Sequence, residues 1–81
     1  MTNNSNVQID RVILTLDIEE LCEILHDEYE AAALQEGWQT QEQSREPWAD
    51  VPEPNKNTMR IALRQMFLRL GKGIGVEVMF E

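Results

Sequence analysis

Residues 37–56, GWQTQEQSREPWADVPEPNK, decide how this chain is put together. The stretch holds both tryptophans, Trp38 and Trp48, and all three prolines, Pro47, Pro52 and Pro54. Glycine and proline interrupt regular structure, while the segments on either side carry apolar residues at helical spacing. The stretch therefore reads as a polar loop between two helices. Two large aromatics make it more than a spacer, because burying a Trp ring removes far more apolar area from water than an ordinary loop residue can. The expectation is that both rings fold the loop back onto its flanking helices.

Upstream of the loop, Asp17-Ile18-Glu19-Glu20 has the form of a capping box, an N-cap acid followed three residues later by Glu. The helix it starts runs to about Glu36 and stops at Gly37, where a C-terminal glycine is expected. At 100° per residue, Ile18, Leu21, Cys22, Leu25, Tyr29, Ala32 and Ala33 share one face. Glu19, Glu20, Glu23, Asp27 and Glu30 share another. Asp17 to Glu36 holds eight acids and no Lys or Arg. Like charges one turn apart repel by a few tenths of a kcal/mol each. A basic helix of the same chain, or a basic partner, would relieve that repulsion.

Downstream, several starts fit the second helix. Asp50-Val51-Pro52-Glu53 has capping-box form with a proline in the first turn, and Asn55 and Asn57 are later alternatives. From Thr58 to Leu70 the pattern is strongly apolar: Met59, Ile61, Ala62, Leu63, Met66, Phe67, Leu68, Leu70. A helix this apolar is expected to be mostly buried, with Arg60 and Arg64 placed to pair with the acidic first helix. Gly71-Lys72-Gly73 is expected to end it.

Both ends of the chain read as strands. Val7 to Leu16 alternates in two registers, with a bend expected at Asp10-Arg11. Ile74, Val76, Val78 and Phe80 alternate at the other end. The expected architecture is α+β, in the order β-α-α-β: two antiparallel helices joined by the Trp/Pro-rich loop and packed on a short antiparallel β-ribbon. Residues 1–6 are expected to be flexible and residues 7–81 to form one domain. A two-stranded ribbon is marginal unless it packs on helices, and its open edges leave room for a homodimer.

Eighty-one residues suffice for one modest core. Cys22 is the only cysteine, so there is no internal disulfide. MTNNSN has no basic stretch followed by an apolar run, so no signal peptide is expected. No apolar run approaches the roughly 20 residues of a membrane span. These features suit the cytoplasm of a bacterium or of a phage-infected host. The net charge is −8. It is uneven: residues 1–53 hold 13 acids and 2 bases, and residues 54–81 hold 2 acids and 5 bases. Bulk charge of this sign repels nucleic acid and anionic membrane and favours a basic protein partner.

No catalytic motif stands out, and no cofactor, metal or enzymatic activity is expected. Glu23-Ile24-Leu25-His26 has the E-x-x-H spacing of carboxylate-bridged metal sites, with Glu30 one turn on. Such sites need two of these motifs and further Glu residues, so His26 reads as a satisfied helix-edge histidine. Cys22, on the apolar face with no base beside it in sequence, reads as a small core residue. Gly71-Lys72-Gly73-Ile74-Gly75 lies between a helix and a strand, the reverse of a phosphate loop. The remaining candidate is aromatic. Trp38 and Trp48, with Tyr29, Arg45, Lys56 and Arg60, could line a shallow site, and rings beside guanidinium groups suit planar anionic ligands or peptides.

The order of residues His26, Gly37-Trp38, Pro47-Trp48, Val51-Pro52-Glu53, Asn55-Lys56, Asn57-Thr58, Arg60 and Leu70-Gly71 resembles the ryanodine-receptor repeat, or RyR domain, and its short single-repeat versions in bacterial and phage proteins. The likeness covers residues 18–71. It departs from the family in the short Trp38–Pro47 loop, the missing His-Pro before the Pro-aromatic pair, and Pro54. The resemblance implies a non-catalytic helical binding module that recognises a partner or a nucleotide-like ligand, with Trp38, Trp48, Lys56 and Arg60 as its binding positions. A reading of a different class is an acidic inhibitor of the anti-CRISPR kind. It would occupy a partner's basic nucleic-acid groove with Glu19, Glu20, Glu23, Asp27 and Glu30.

Overall fold

The computed structural model describes residues 12–81; the readings made for residues 1–11, including Val7, Ile9 and the bend at Asp10-Arg11, lie outside them. The described chain runs β1 (Val12–Leu16), α1 (Ile18–Glu36), two 3-10 turns at Glu42–Arg45 and Trp48–Asp50, α2 (Glu53–Ile74) and β2 (Val76–Phe80). This is a small α+β fold of two helices and a two-stranded sheet.

The caps of α1 follow from its sequence. Asp17 keeps an extended backbone, and its Oδ1 accepts from the N–H groups of Glu19 and Glu20 at 3.0 and 3.2 Å. Two of the donors that a helix start leaves unpaired are thereby satisfied, with a negative charge at the positive end of the helix dipole. At the other end Gly37 turns left-handed (φ 82°), where any side chain would strain. Gly37 N–H donates to Leu34 O and Trp38 N–H to Ala33 O, both at 3.1 Å, the paired bonds of a Schellman turn.

The sheet corrects the sequence reading. The strands are parallel, with Val12 opposite Val76 and Leu16 opposite Phe80, where an antiparallel ribbon was expected. The end of α2 also differs from the expectation. Gly71-Lys72-Gly73 does not stop the helix, which continues to Ile74 and is capped by left-handed Gly75 (φ 75°). The chain then folds back, laying β2 along the last turns of α2. A Cβ on Gly71 would stand 2.6 Å from both Val76 O and Val78 Cγ2. Gly71 is thus a contact surface for the returning strand and not a helix stop. With β2 turned back on α2 and the two strands parallel, β1 also runs against α2. Parallel strands need a long crossover, and both helices lie in this one. Ile74 belongs to the helix and is exposed, so only Val76, Val78 and Phe80 alternate inward.

The start of α2 resolves at Glu53. Pro52 is the N-cap, and its carbonyl accepts from Asn55 and Lys56 N–H at 3.0 Å. Pro54 falls within the first turn, where the missing N–H has no partner to lose.

The core is Ile18 and Cys22 from α1, Trp48 and Val51 from the linker, and Leu63 from α2, with Leu21, Met59, Phe67 and Phe80 packed around it. Cys22 is completely buried. Burial pushes its thiol pKa up, with Glu19 adding in the same direction, as suits a core residue and not a nucleophile. The expectation that α2 is mostly buried is not met. Leu63 and Gly71 are its buried residues, while Ile61, Met66, Leu68 and Leu70 are exposed, because two helices and two strands cover only one side of it. Leu25 and Tyr29, on the apolar face of α1, are likewise exposed. No helix among the described residues is long and apolar enough to cross a membrane.

Candidate functional site

A cleft of about 600 Å3 opens between α1, the linker and the first turns of α2. Its α1 wall is Leu25, His26, Tyr29 and Glu30, and its α2 wall is Asn55, Thr58, Met59 and Ala62. The linker closes it with Trp38, Thr40, Gln41, Ser44, Trp48 and Val51.

The two tryptophans enter the site differently. Trp38 follows the Schellman turn, which swings it back beside α1. Its ring meets Tyr29 edge-on, with centroids 5.7 Å apart and planes at 82°, an arrangement the ring quadrupoles favour. It remains 47% exposed. Trp48 follows Pro47 into a 3-10 turn and is only 6% exposed. Its Nε1 donates to Glu19 Oε2 at 3.2 Å, so the one polar atom of a buried ring is satisfied. Lys56 Nζ lies 5.6 Å from the centroid of the same ring.

His26 is the buried polar residue of the site. Nδ1 lies 3.0 Å from Asp27 Oδ1 and Nε2 lies 2.6 Å from Ser44 O. Both partners can only accept, so the ring satisfies both by donating from both nitrogens, as imidazolium. Burial works against that charge. The Asp27 carboxylate, the Ser44 carbonyl and nearby Glu30 outweigh it and hold His26 above the ordinary histidine value. The ring also packs against Trp48, with centroids 5.9 Å apart. One residue thus ties α1 to both 3-10 turns. Glu30 Oε1 accepts from Thr40 Oγ1 at 2.7 Å, which tethers the start of the linker.

Of the residues expected to bind a ligand, the structure brings Tyr29, Trp38 and Trp48 together in the cleft. Lys56, Arg60 and Arg45 do not line it, and each is already engaged. Lys56 Nζ donates to Ala49 O at 3.0 Å and lies 3.8 Å from Glu53 Oε1. Arg60 grips Glu19 through Nε and Nη2 at 2.9 and 2.8 Å, and its Nη1 donates to Glu53 and Asn57. Arg45 Nη1 donates to Thr40 O at 3.1 Å. The Arg60 guanidinium lowers the Glu19 carboxyl pKa, against desolvation and with help from Trp48, and Glu19 raises that of Arg60. Arg60 thus relieves the acidic helix at Glu19, one of the two pairings foreseen for α2. The other foreseen cation, Arg64, makes no ion pair within 4 Å among the described residues.

The row of acids also divides. Glu19 turns to Arg60 and Trp48, and Glu30 to Thr40, while Glu20, Glu23 and Asp27 stay exposed. No group of three His, Cys, Asp or Glu that could hold a metal ion occurs among the described residues. Glu30, Thr40 and Ser44 were not foreseen in the site. The spacing of His26 and Glu30, one helical turn apart, was the available signal; it was weighed for metal chemistry, and His26 was read as a satisfied histidine, as both of its ring nitrogens are. No family model, no curated protein and no solved structure matches this chain.

Proposed function

We propose that this chain is a small recognition module of ryanodine-receptor-repeat type. It binds a partner stoichiometrically, without chemistry, in the cleft bracketed by Trp38 and Trp48. The observation that carries this reading is the cleft itself. Its volume of about 600 Å3 falls within the usual range of ligand sites, and an apolar, aromatic wall with a few convergent polar groups is what such sites are made of. The half-exposed Tyr29–Trp38 pair gives it a rigid aromatic lip, the kind of surface that carries binding energy at low entropic cost. The residues behind the RyR resemblance include His26, Trp38 and Trp48, which also build the cleft. Between the two ligand types that the resemblance allows, the engagement of Lys56, Arg60 and Arg45 with internal partners favours a protein segment over an anionic nucleotide.

A fragment screen by NMR tests the reading. Binders are expected to shift the Trp38 indole and Tyr29 ring signals and to lose affinity in Trp38→Ala. Hits that instead gather on Glu20, Glu23 and Asp27, that survive Trp38→Ala and that vanish in high salt would replace it. They would establish the second reading, an acidic inhibitor that covers a partner's basic groove. That reading draws on the exposed carboxylates of α1, which have no Lys or Arg within 4 Å among the described residues apart from the Glu19–Arg60 pair. Screened charges of this kind lose their grip as ionic strength rises.

A further inference from the structure

The charges around the cleft narrow its occupant, on the reading that the cleft is a binding site. Among the described residues, no Lys or Arg lines it. The carboxylate that does is Glu30, half-buried, with Oε1 taken by Thr40 and no hydrogen bond to Oε2 among the described residues. His26, which also lines the cleft, has its own counter-ion in Asp27 at 3.0 Å. Three rings, from Tyr29, Trp38 and Trp48, border the same space. Aromatic faces attract cations through the ring quadrupole, and the molecule already uses this once, where Lys56 Nζ stands 5.6 Å from the Trp48 centroid. Beyond the cleft, the net charge of −8 draws a basic partner from a distance.

We propose that the cleft receives a lysine side chain of a protein partner, its aliphatic stem along Leu25, Met59 and Ala62 and its ammonium group between the aromatic lip and Glu30. A lysine has the shape and chemistry of the space: four methylenes for an apolar wall and a terminal cation for a carboxylate flanked by rings. A nucleotide phosphate would meet the unbalanced carboxylate instead.

Three probes of equal length test the assignment on the unaltered chain: hexylammonium, hexan-1-ol and hexanoate, followed through the Trp38 and Tyr29 signals. Hexylammonium is expected to bind about tenfold more tightly than hexan-1-ol, with hexanoate weakest. Glu30→Gln should erase the cation's advantage. Glu36→Gln, which removes the same charge outside the lining, should keep it. A blocked Gly-Lys-Gly tripeptide should compete with hexylammonium, and its norleucine counterpart should not. Hexan-1-ol binding as tightly as hexylammonium would overturn the cation and leave the cleft standing. A lysine peptide that fails to compete would overturn the side-chain assignment. If none of the three probes moves Trp38 at millimolar concentration, the cleft reading falls with the inference. The order of the three probes decides whether or not the Glu30→Gln variant folds.

Discussion

The linker has two ends, each with a tryptophan, and they do different work. At its start Trp38 is 47% exposed and leans on Tyr29; ten residues later Trp48 is 6% exposed and lies in the core with Ile18, Cys22, Val51 and Leu63. The difference comes from what surrounds the backbone at each point. Trp38 follows a Schellman turn at the far end of α1, where its ring leans on Tyr29 at the open edge of the cleft. Trp48 follows Pro47 into a turn that points the ring between the helices, where Glu19 accepts its N–H. One residue type thus closes the fold at one end and leaves a surface open at the other. In a chain this short the core cannot be completed by helices alone, so part of the loop is drawn into it.

The sharpest way to break this comparison is to remove each ring in turn. Trp48→Ala should cost about 3–5 kcal/mol, the usual range for emptying a core aromatic site. That is comparable with the whole stability of a domain of this size. Urea titration followed by circular dichroism is expected to show a chain unfolded or nearly so without denaturant. A two-state curve with a midpoint near that of the parent would mean that Trp48 is no more structural than Trp38.

His26 stands between the two ends, and its effect should be intermediate. It touches the Trp48 ring and donates to Ser44 O in the turn that leads away from Trp38. His26→Ala should cost about 1–3 kcal/mol, since it opens a gap beside Trp48 and leaves the Ser44 carbonyl unpaired. The ring also makes stability depend on pH. Burial works to lower its folded pKa, but Asp27, Ser44 and Glu30 together hold it above the ordinary histidine value of the unfolded chain. The protonated ring therefore stabilises the fold fully below that unfolded value, and the contribution is lost as pH climbs through the raised folded value. Urea midpoints are expected to fall from mildly acidic to mildly alkaline solution and to stay level over that interval in His26→Gln. A midpoint that rises with pH would mean that the ring is held neutral.

Much of this difference between the ends could be read in advance, and the limits have physical causes. Asp17, Gly37 and the prolines are local signals: each acts on the backbone within a turn of itself, so the first helix and the existence of the linker were legible. The Glu19–Arg60 pairing was half legible, because charge imbalance names partners without naming geometry. The strand direction was not legible. It depends on how each strand joins its helix, and the single residues between them, Asp17 and Gly75, do not announce a direction. The end of α2 was hidden as well, because β2 is seated by Val76 and Val78 packing onto Gly71, a tertiary contact. The role of His26 was hidden for the same reason. One of its acceptors, Ser44, is 18 residues away in a turn that no pattern announces.

Trp38 should have the smallest effect on stability and the largest on recognition, and this is where the comparison is most exposed. Trp38→Ala removes an edge-to-face pair with Tyr29 and some half-buried area. Such pairs are worth about 0.5–1.5 kcal/mol, so the unfolding free energy should drop by about 1 kcal/mol or less, seen as a slightly lower urea midpoint at an unchanged slope. Trp38→Phe should recover most of that, because a ring can still meet Tyr29. Binding separates structure from function here. A residue that only props up Tyr29 would be rescued by Phe in stability and in hexylammonium affinity alike. A residue that supplies the face for a cation would recover stability but leave part of the affinity missing, because indole attracts a cation more strongly than phenyl does. The midpoint and the affinity of the Trp38→Phe variant should therefore part company. If they return together, the open end of the linker is a surface support like any other half-buried ring, and the two tryptophans differ in degree and not in kind.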